Sequence, residues 1–252
     1  MKRALVFLYG LVAYFIFFGT ILYAIGFTGN IVVPKGIDSG LVGPLGTALA
    51  VNAVLLTLFA VQHSGMARRG FKRFITRYIP QAAERSTFVL LASVCLLALF
   101  VFWRPLGGVI WDIQNSAGRI IMYSLFAFGW VLVFAATFMI NHFDLFGLRQ
   151  VYLYARGREY KPLPFRTPWL YKYVRHPLYV GFFFAMWFTP TMTIAHLVFA
   201  VACTGYIVIA TQFEERDLVE AHGETYRKYR EQVPMYIPKI TTEAKLKEAL
   251  SQ

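Results

Sequence analysis

Charge and cysteine are both scarce in this chain. Only 15 % of its 252 residues are charged, whereas 58 % are hydrophobic, which is far from the composition of soluble domains. Its two cysteines, Cys95 and Cys203, lie within apolar stretches, so the sequence predicts no disulfide framework. No His-Glu-x-x-His pair and no glycine-rich strand-to-helix turn is present, so neither a metal site nor a soluble nucleotide-binding fold is expected.

What the chain does have is long apolar runs. Five stretches contain no Asp, Glu, Lys or Arg, and each is long enough to cross a hydrocarbon core, which needs about 20 residues. They are Ala4 to Val33, Pro44 to Gln62, Thr87 to Trp103, Ile120 to Ile140 and Leu178 to Phe213.

The fifth run is too long for a single span. As one helix its residues would extend roughly 54 Å, against a hydrocarbon core of about 30 Å. Near its middle Pro190 interrupts the helical hydrogen bonds, which favours a tight hairpin of two short spans. The sequence therefore predicts an all-α, polytopic transmembrane helical bundle of six spans.

The basic residues give this bundle an orientation. Of the 25 lysines and arginines, 22 lie before the first span, in Gln62 to Arg85, in Asn141 to Pro177 or in the tail; the others are Lys35, Arg104 and Arg119. The positive-inside rule then places both termini in the cytoplasm. The net charge of +12 reflects this topology and an attraction to anionic membrane lipid, and no nucleic-acid partner is expected.

No repeat or polar linker divides the chain, so residues 1–252 are expected to form one domain. The tail after Phe213 carries Leu218, His222, Tyr226 and Tyr229 at helical spacing, which predicts a cytoplasmic C-terminal amphipathic helix. The sequence does not indicate an oligomeric state.

Two short segments could carry chemistry. Pro177 suits the first turn of a helix, which puts Arg175 and His176 at a positive helix end that could hold a carboxylate or, alternatively, anchor the helix at lipid headgroups. Glu214 and Glu215 close the last span on the same face and need a partner, for which Arg175, Arg216 or a cationic ligand are the candidates. A plain cytoplasmic stop signal is the alternative.

The order of these motifs resembles the isoprenylcysteine carboxyl methyltransferase and phospholipid methyltransferase superfamily. Arg-His-Pro-x-Tyr, a hairpin, Glu-Glu and the tail Gly-Glu-x-Tyr-x-x-Tyr carry the likeness, over roughly Leu163 to Pro238. The resemblance implies a membrane enzyme that binds S-adenosylmethionine at the cytoplasmic face, with a cofactor-binding half at about residues 141–240. The cofactor contacts it implies are Tyr171, His176, Pro177, Leu178, Tyr179 and Glu214. Leu163 stands where the superfamily usually has histidine, so only backbone contact is expected there.

A narrower likeness covers nearly the whole chain. The segment from Asn141 to Val151, with Gln62-His63-Ser64 and Pro164-Phe165-Arg166-Thr167-Pro168, resembles the bacterial methanethiol S-methyltransferases of the nurim-like group. It implies a small-molecule thiol substrate, methanethiol, converted to dimethyl sulfide in the bacterial inner membrane. Three alternatives stay open: methylation of a lipid or prenyl-cysteine carboxylate, a non-enzymatic protein like nurim, and a sterol-reductase-like enzyme that uses a nicotinamide cofactor.

A thiol must lose its proton before it can attack a methyl group, so a base is expected. His142 is the first candidate, with Asp144 to orient its ring, and His63 is the second. Without a base, Arg175 could stabilise the thiolate. The residues expected around the substrate are Asn141, Phe143, Arg149, Gln150 and Trp169.

Overall fold

The computed structural model describes residues 1–239. Lys245 and Lys247, which were counted above among the cytoplasmic basic residues, lie outside the described residues, as does the end of the proposed domain. The helices are α1 (Lys2–Gly29), α2 (Leu45–Ala67), α3 (Arg69–Ile75), α4 (Glu84–Phe102), α5 (Ser116–Ile140), α6 (His142–Leu145), α7 (Leu148–Ala155), α8 (Pro177–Trp187), α9 (Ile194–His222) and α10 (Glu224–Gln232). The strands are β1 (Val109–Asp112) and β2 (Thr191–Thr193).

The all-α polytopic fold is confirmed. Within residues 1–239, five helices are long and apolar enough to cross a membrane: α1, α2, α4 with the 3-10 turn that precedes it, α5 and α9. The chain is therefore an integral membrane protein whose core is made of apolar helices.

The C-terminal hairpin has unequal limbs, so the prediction of two short spans is wrong in its proportions. α8 has 11 residues, about 16 Å of helix, whereas α9 has 29. α8 ends at Trp187, before Pro190 is reached, and the chain continues outside any helix to β2. The extended segment supplies the length that α8 lacks.

Within residues 1–239 the chain nevertheless runs along the bundle six times. β2 pairs antiparallel with β1, and the N–H of Ile113 donates to the carbonyl of Pro190 over 2.9 Å. Since β1 lies between α4 and α5, the chain after α8 has reached the end of the bundle opposite to Pro177 before it returns as α9. This path agrees with the prediction of six spans of the bilayer, which stays a prediction.

The basic segments gather at one end of the bundle. Arg68 and Arg69 pair with Asp217 and Glu220 at 3.2 and 2.5 Å, and Arg3 lies over the Tyr154 ring at 5.8 Å. At the opposite end the Lys35 ammonium donates to the Val101 carbonyl and Asp38 accepts from Thr193. We call the first the basic end, and its cytoplasmic position stays a prediction.

α5 and α8 pack through glycine. A Cβ on Gly129 would lie 2.6 Å from the Ala185 nitrogen, and one on Gly181 would lie 2.7 Å from the Gly129 carbonyl oxygen. Small residues let helix backbones approach closely where lipid offers no hydrophobic driving force. This contact fixes the depth of the α8 start, and with it the site described below.

The tail divides into two pieces. Residues 214–222 continue α9, and Gly223, with a φ of 59°, turns the chain into the nine-residue α10. The Tyr226 side chain of α10 is buried and packs against Phe165, and Tyr229 donates to the Tyr171 carbonyl over 2.6 Å. α10 is thus held against the segment that leads into α8.

Candidate functional site at the basic end

The start of α8 is fixed by a buried ion pair. Arg175 Nε lies 2.6 Å from Glu215 Oε1, and both side chains are almost fully buried, at 8 % and 5 % exposure. The same guanidinium donates to the carbonyls of Arg230 and Val233. Of the partners left open for the two glutamates, the structure therefore joins Arg175 to Glu215. Nε and Nη1 of Arg175 are thus engaged by protein groups, and the side chain is almost fully enclosed.

The backbone strengthens this attachment. The N–H groups of Arg175 and His176 donate to the carbonyls of Pro234 and Met235, so the tail lies along the residues before α8. α8 begins at Pro177, as predicted, with Leu178 in its first turn. His176 Nε2 donates to Glu215 Oε1 over 3.1 Å.

Glu214 differs from its neighbour because one side of it is open. Tyr179 donates to Glu214 Oε2 over 2.6 Å, and His176 Nδ1 lies 4.0 Å from the same oxygen. The Glu214 side chain keeps 44 % exposure, whereas that of Glu215 has 5 %. Tyr171 is buried nearby, where burial and the Glu214 charge raise the pKa of its phenol. Four residues expected to contact the cofactor thus meet at one half-open carboxylate.

His142 lies apart from Asp144, so the expected His142–Asp144 pair is not formed. His142 Nδ1 is 2.9 Å from Thr137 Oγ1, and Nε2 is 2.9 Å from the Tyr14 hydroxyl. Thr137 already donates its one proton to the Phe134 carbonyl, so Nδ1 must be the donor and Nε2 the acceptor. The ring is buried, which lowers its pKa, and both nitrogens are occupied.

Asp144 instead organises its own loop. It accepts from Arg149 over 2.8 Å and from Tyr160 over 3.3 Å. Asn141 Oδ1 accepts from the Asp144 N–H, and Gln150 Nε2 donates to the Asp144 carbonyl. Gln150 Oε1 is buried without a partner among the described residues.

The two aromatic residues expected at the substrate are less enclosed than the polar ones. Phe143 is 51 % exposed and packs against Tyr14 and Phe138. Trp169 is 78 % exposed at the start of a 3-10 turn. The structure therefore places both at the periphery of the basic end.

His63 occupies an aromatic cage. Its ring centroid lies 5.2 Å from that of Phe59, 4.9 Å from Phe88 and 6.4 Å from Tyr206. His63 Nδ1 is buried without a hydrogen-bond partner in the described part of the chain. Of the two histidines, it is the one whose ring nitrogens are free.

Sequence reasoning missed Arg85, which was counted only as one of many basic residues. It lies in the first turn of α4, where its Nε donates to the Leu145 carbonyl over 2.7 Å and its guanidinium covers the Phe88 ring at 4.9 Å. A usable signal was its position, two residues before an uncharged span, where a charge needs a partner.

Fold and site together define a polytopic helical membrane protein with a charged, half-open site at one end of its bundle. The chain is 57 % identical, over 95 % of its length and 94 % of the relative, to a methanethiol S-methyltransferase of Crocosphaera subtropica. It is 54 % identical to one of Mycobacterium tuberculosis, over 94 % of this chain and 98 % of that one. The chain belongs to the methanethiol S-methyltransferase family and is a methyltransferase.

Nurim of Rattus norvegicus is a more distant relative, 29 % identical over 72 % of each chain. No family model matches the sequence. No solved structure matches it either.

Proposed function

We propose that this protein transfers a methyl group from S-adenosylmethionine to methanethiol, producing dimethyl sulfide. The open carboxylate of Glu214, surrounded by Tyr171, His176 and Tyr179, is the observation that supports the donor. The acceptor is supported by the names of relatives that share about half of all residues with this chain.

The residues fit a cationic donor. S-adenosylmethionine supplies a methyl group already activated on a positive sulfonium, and it carries an ammonium group as well. Glu214 offers a carboxylate with one hydrogen bond, from Tyr179, and an exposed side on which a cation can bind. Tyr171, Pro177 and Leu178 would form the wall beside it, and His176 would hold Glu215 and so keep the wall in place.

On the acceptor side we assign the base to His63. Its ring has no hydrogen-bond partner in the described chain and packs against Phe88, whose ring Arg85 covers. Accepting a proton at His142, by contrast, would break its bond from Tyr14. His142 is assigned to structure, since it joins α5 to α1. Asn141, Asp144, Arg149 and Gln150 would order the loop that closes over the thiol, and Arg175 would position α8 instead of contacting the substrate.

Phe143 and Trp169 are proposed to limit the size of the thiol from the rim of the site. Their exposed positions suit contact with an entering substrate better than contact with its bound methyl group. The same proposal covers the arrangement of the whole chain. Residues 1–252 would form one domain in the bacterial inner membrane, with both termini cytoplasmic, anionic lipid at the basic loops and the cofactor half at about 141–240.

The test is direct binding followed by product analysis. Calorimetry on the purified protein in detergent should show S-adenosylmethionine binding, and headspace analysis should detect dimethyl sulfide when methanethiol is added. Glu214→Gln should weaken donor binding at least 10-fold, because a charge-assisted contact of about 1.5 to 3 kcal/mol is lost. Glu220→Gln is the matched control on the same helix, because its exposed carboxylate pairs only with Arg69 in the described chain.

The alternatives predict different results. A nurim-like protein without activity would not bind the donor even at millimolar concentration, and that result would end the proposal. Donor binding without dimethyl sulfide would instead favour a lipid or prenyl-cysteine carboxylate as the acceptor.

A further inference from the structure

The guanidinium of Arg85 is held at one side only. Within the described residues its one hydrogen bond runs from Nε to the Leu145 carbonyl, and its flat face rests on the Phe88 ring. Within residues 1–239 its terminal amino groups have no hydrogen-bond partner, although the side chain itself is half-buried. A cation near the membrane-embedded part of a bundle normally has a partner.

No carboxylate in the described chain comes within 4.0 Å of Arg85, yet several act on it from farther away. Glu84, Asp144 and Glu214 all attract its charge. Glu214 in particular is near enough to interact but forms no ion pair with Arg85. The carboxylate on α9 and the guanidinium on α4 are therefore close without direct contact.

Unsatisfied polar atoms occur on α4 itself and on the elements that pack beside Arg85. Four buried atoms there have no hydrogen-bond partner in the described residues: Gln62 Oε1 and His63 Nδ1 on α2, Ser86 Oγ on α4 and Gln150 Oε1 on α7. A Cβ on Gly147, whose φ is 90°, would lie 2.8 Å from Ser86 Oγ, so the loop after α6 closes directly onto this region. Buried polar atoms are normally paired, and such a group of unpaired ones indicates a bound polar molecule or water.

We propose that Arg85 binds the methyl acceptor as its thiolate and is a catalytic residue of the acceptor side. This inference rests on the proposed function and adds the group that stabilises the nucleophile. The charges match the two reactants: the sulfonium donor is positive and lies at Glu214, while the thiolate is negative and lies at Arg85. Both side chains lie at the basic end of the bundle, where donor and acceptor must meet.

The reaction balances with the groups present. The S–H bond of methanethiol breaks, and its proton goes to the His63 ring and then to water. The thiolate lone pair forms the new bond to the methyl carbon as the bond from that carbon to the sulfonium sulfur breaks. The electron pair of the broken bond stays on the donor sulfur, which becomes a neutral thioether, and the acceptor becomes dimethyl sulfide.

The effect of Arg85 should be visible without turnover. Ultraviolet absorbance of the thiolate can be followed against pH with methanethiol bound to the full-length protein. In the wild type, an opposite charge within about 4 to 6 Å should lower the ionisation midpoint of the bound thiol by about 1 to 3 pH units relative to free methanethiol. In Arg85→Gln the midpoint should return to within about 0.5 units of the free thiol, while Arg85→Lys should keep most of the shift.

Two controls make the result decisive. Arg77→Gln removes the same charge from an exposed position at the same end and should behave as the wild type. Calorimetry with S-adenosylmethionine should give unchanged affinity, within about threefold, for Arg85→Gln, since a threefold change is only about 0.65 kcal/mol.

Other results would overturn the inference. A midpoint in Arg85→Gln equal to that of the wild type would show that Arg85 does not stabilise the thiolate. Loss of donor affinity with an unchanged midpoint would assign Arg85 to the carboxylate of the donor. If Arg85→Gln does not fold, the Arg85→Lys variant provides the test. An ionisation midpoint in Arg85→Lys equal to that of free methanethiol would also contradict the proposal. Failure of the wild type itself to bind the donor would be a failure of the proposed function, which is a separate result.

Discussion

Glu214 and Glu215 are neighbours in the chain but have opposite surroundings. Successive residues of a helix point about 100° apart, so one side chain faces the packed start of α8 and the other faces open space. Glu215 is consumed by Arg175 and His176, whereas Glu214 keeps one hydrogen bond and 44 % exposure. Leaving a charge of a buried pair without its partner is costly, by about 3 to 5 kcal/mol, so Glu215 is suited to holding the site together and Glu214 to binding.

Alanine variants of the two histidines are expected to differ in their kinetics. His63→Ala should lower kcat/KM for methanethiol by about 10²- to 10⁴-fold near neutral pH, with a smaller loss at high pH where the thiol ionises unaided. His142→Ala should lower thermal stability by about 1 to 3 kcal/mol, because the partners on Tyr14 and Thr137 are left unsatisfied, while the folded fraction keeps its kcat/KM. The measurement is dimethyl sulfide formation from pH 6 to 9 beside a melting curve in detergent.

The reverse pattern would assign the base to His142. If both variants remained fully active, general-base catalysis would be excluded and the charge of Arg85 alone would have to produce the thiolate.

Among the elements, α8 is unusual for being too short to cross a bilayer alone. Its 11 residues are buried against α5 through Gly129 and Gly181, and an extended segment completes the crossing to β2. The short helix places Pro177 within the bundle and not beyond its end. Arg175, His176 and Tyr179 can therefore meet α9 at the level of Glu214 and Glu215.

This contact gives a prediction for helix packing. Gly181→Val should separate α8 from α5, since even a Cβ would lie 2.7 Å from the Gly129 carbonyl oxygen and 2.8 Å from the Val133 nitrogen. Overpacking of this kind costs about 1 to 3 kcal/mol and should also displace the α8 start, so melting temperature and donor affinity should fall together. Gly205→Val on α9 is the matched control, because a Cβ there has no neighbour within 4 Å. Equal effects from the two variants would show that the close approach has no special role.

For the whole molecule, the structure joins three chain regions at the basic end. The connection after α2, the loops between α5 and α8 and the tail after α9 all meet there. For the N-terminus and the tail to lie at the same end, the chain must cross the bundle an even number of times. The chain turns back for the last time at the opposite end, where β2 pairs with β1.

The orientation of the bundle can be tested by cysteine labelling. In a Cys95→Ala, Cys203→Ala background, Leu41→Cys is expected to react with a membrane-impermeant thiol reagent in intact cells, since Leu41 is 94 % exposed at the end opposite to the basic loops. Arg158→Cys, also at an exposed position, should react only after the cells are permeabilised. Labelling of Arg158→Cys alone in intact cells would mean that the basic end faces outward, contrary to the positive-inside rule.

The sequence by itself determined that the chain lies in a membrane, its helical fold class and the residues that meet around Glu214. An uncharged run of about 20 residues that crosses a bilayer is expected to form a helix, because its backbone polar groups must pair with one another in lipid. The uneven placement of lysine and arginine told which loops share an end, and the motif around Pro177 marked the start of α8 and the residues that gather at Glu214. All of these depend on local composition or on neighbours in the chain.

Only the tertiary structure decided which polar side chains are paired with other protein groups and which lack a partner. The partner of Arg175 lies 40 residues away at Glu215, that of His142 lies 128 residues away at Tyr14, and the nearest polar contact of Arg85 is 60 residues away at Leu145. A buried polar side chain is available to a ligand only if no other protein group already pairs with it. Such partners are distant in the sequence, so the local spacing of residues does not reveal them. For this reason the sequence ranked His142 above His63 and missed Arg85. In the part of the chain that the structure describes, both ring nitrogens of His142 are paired, whereas His63 Nδ1 and the terminal amino groups of Arg85 are not.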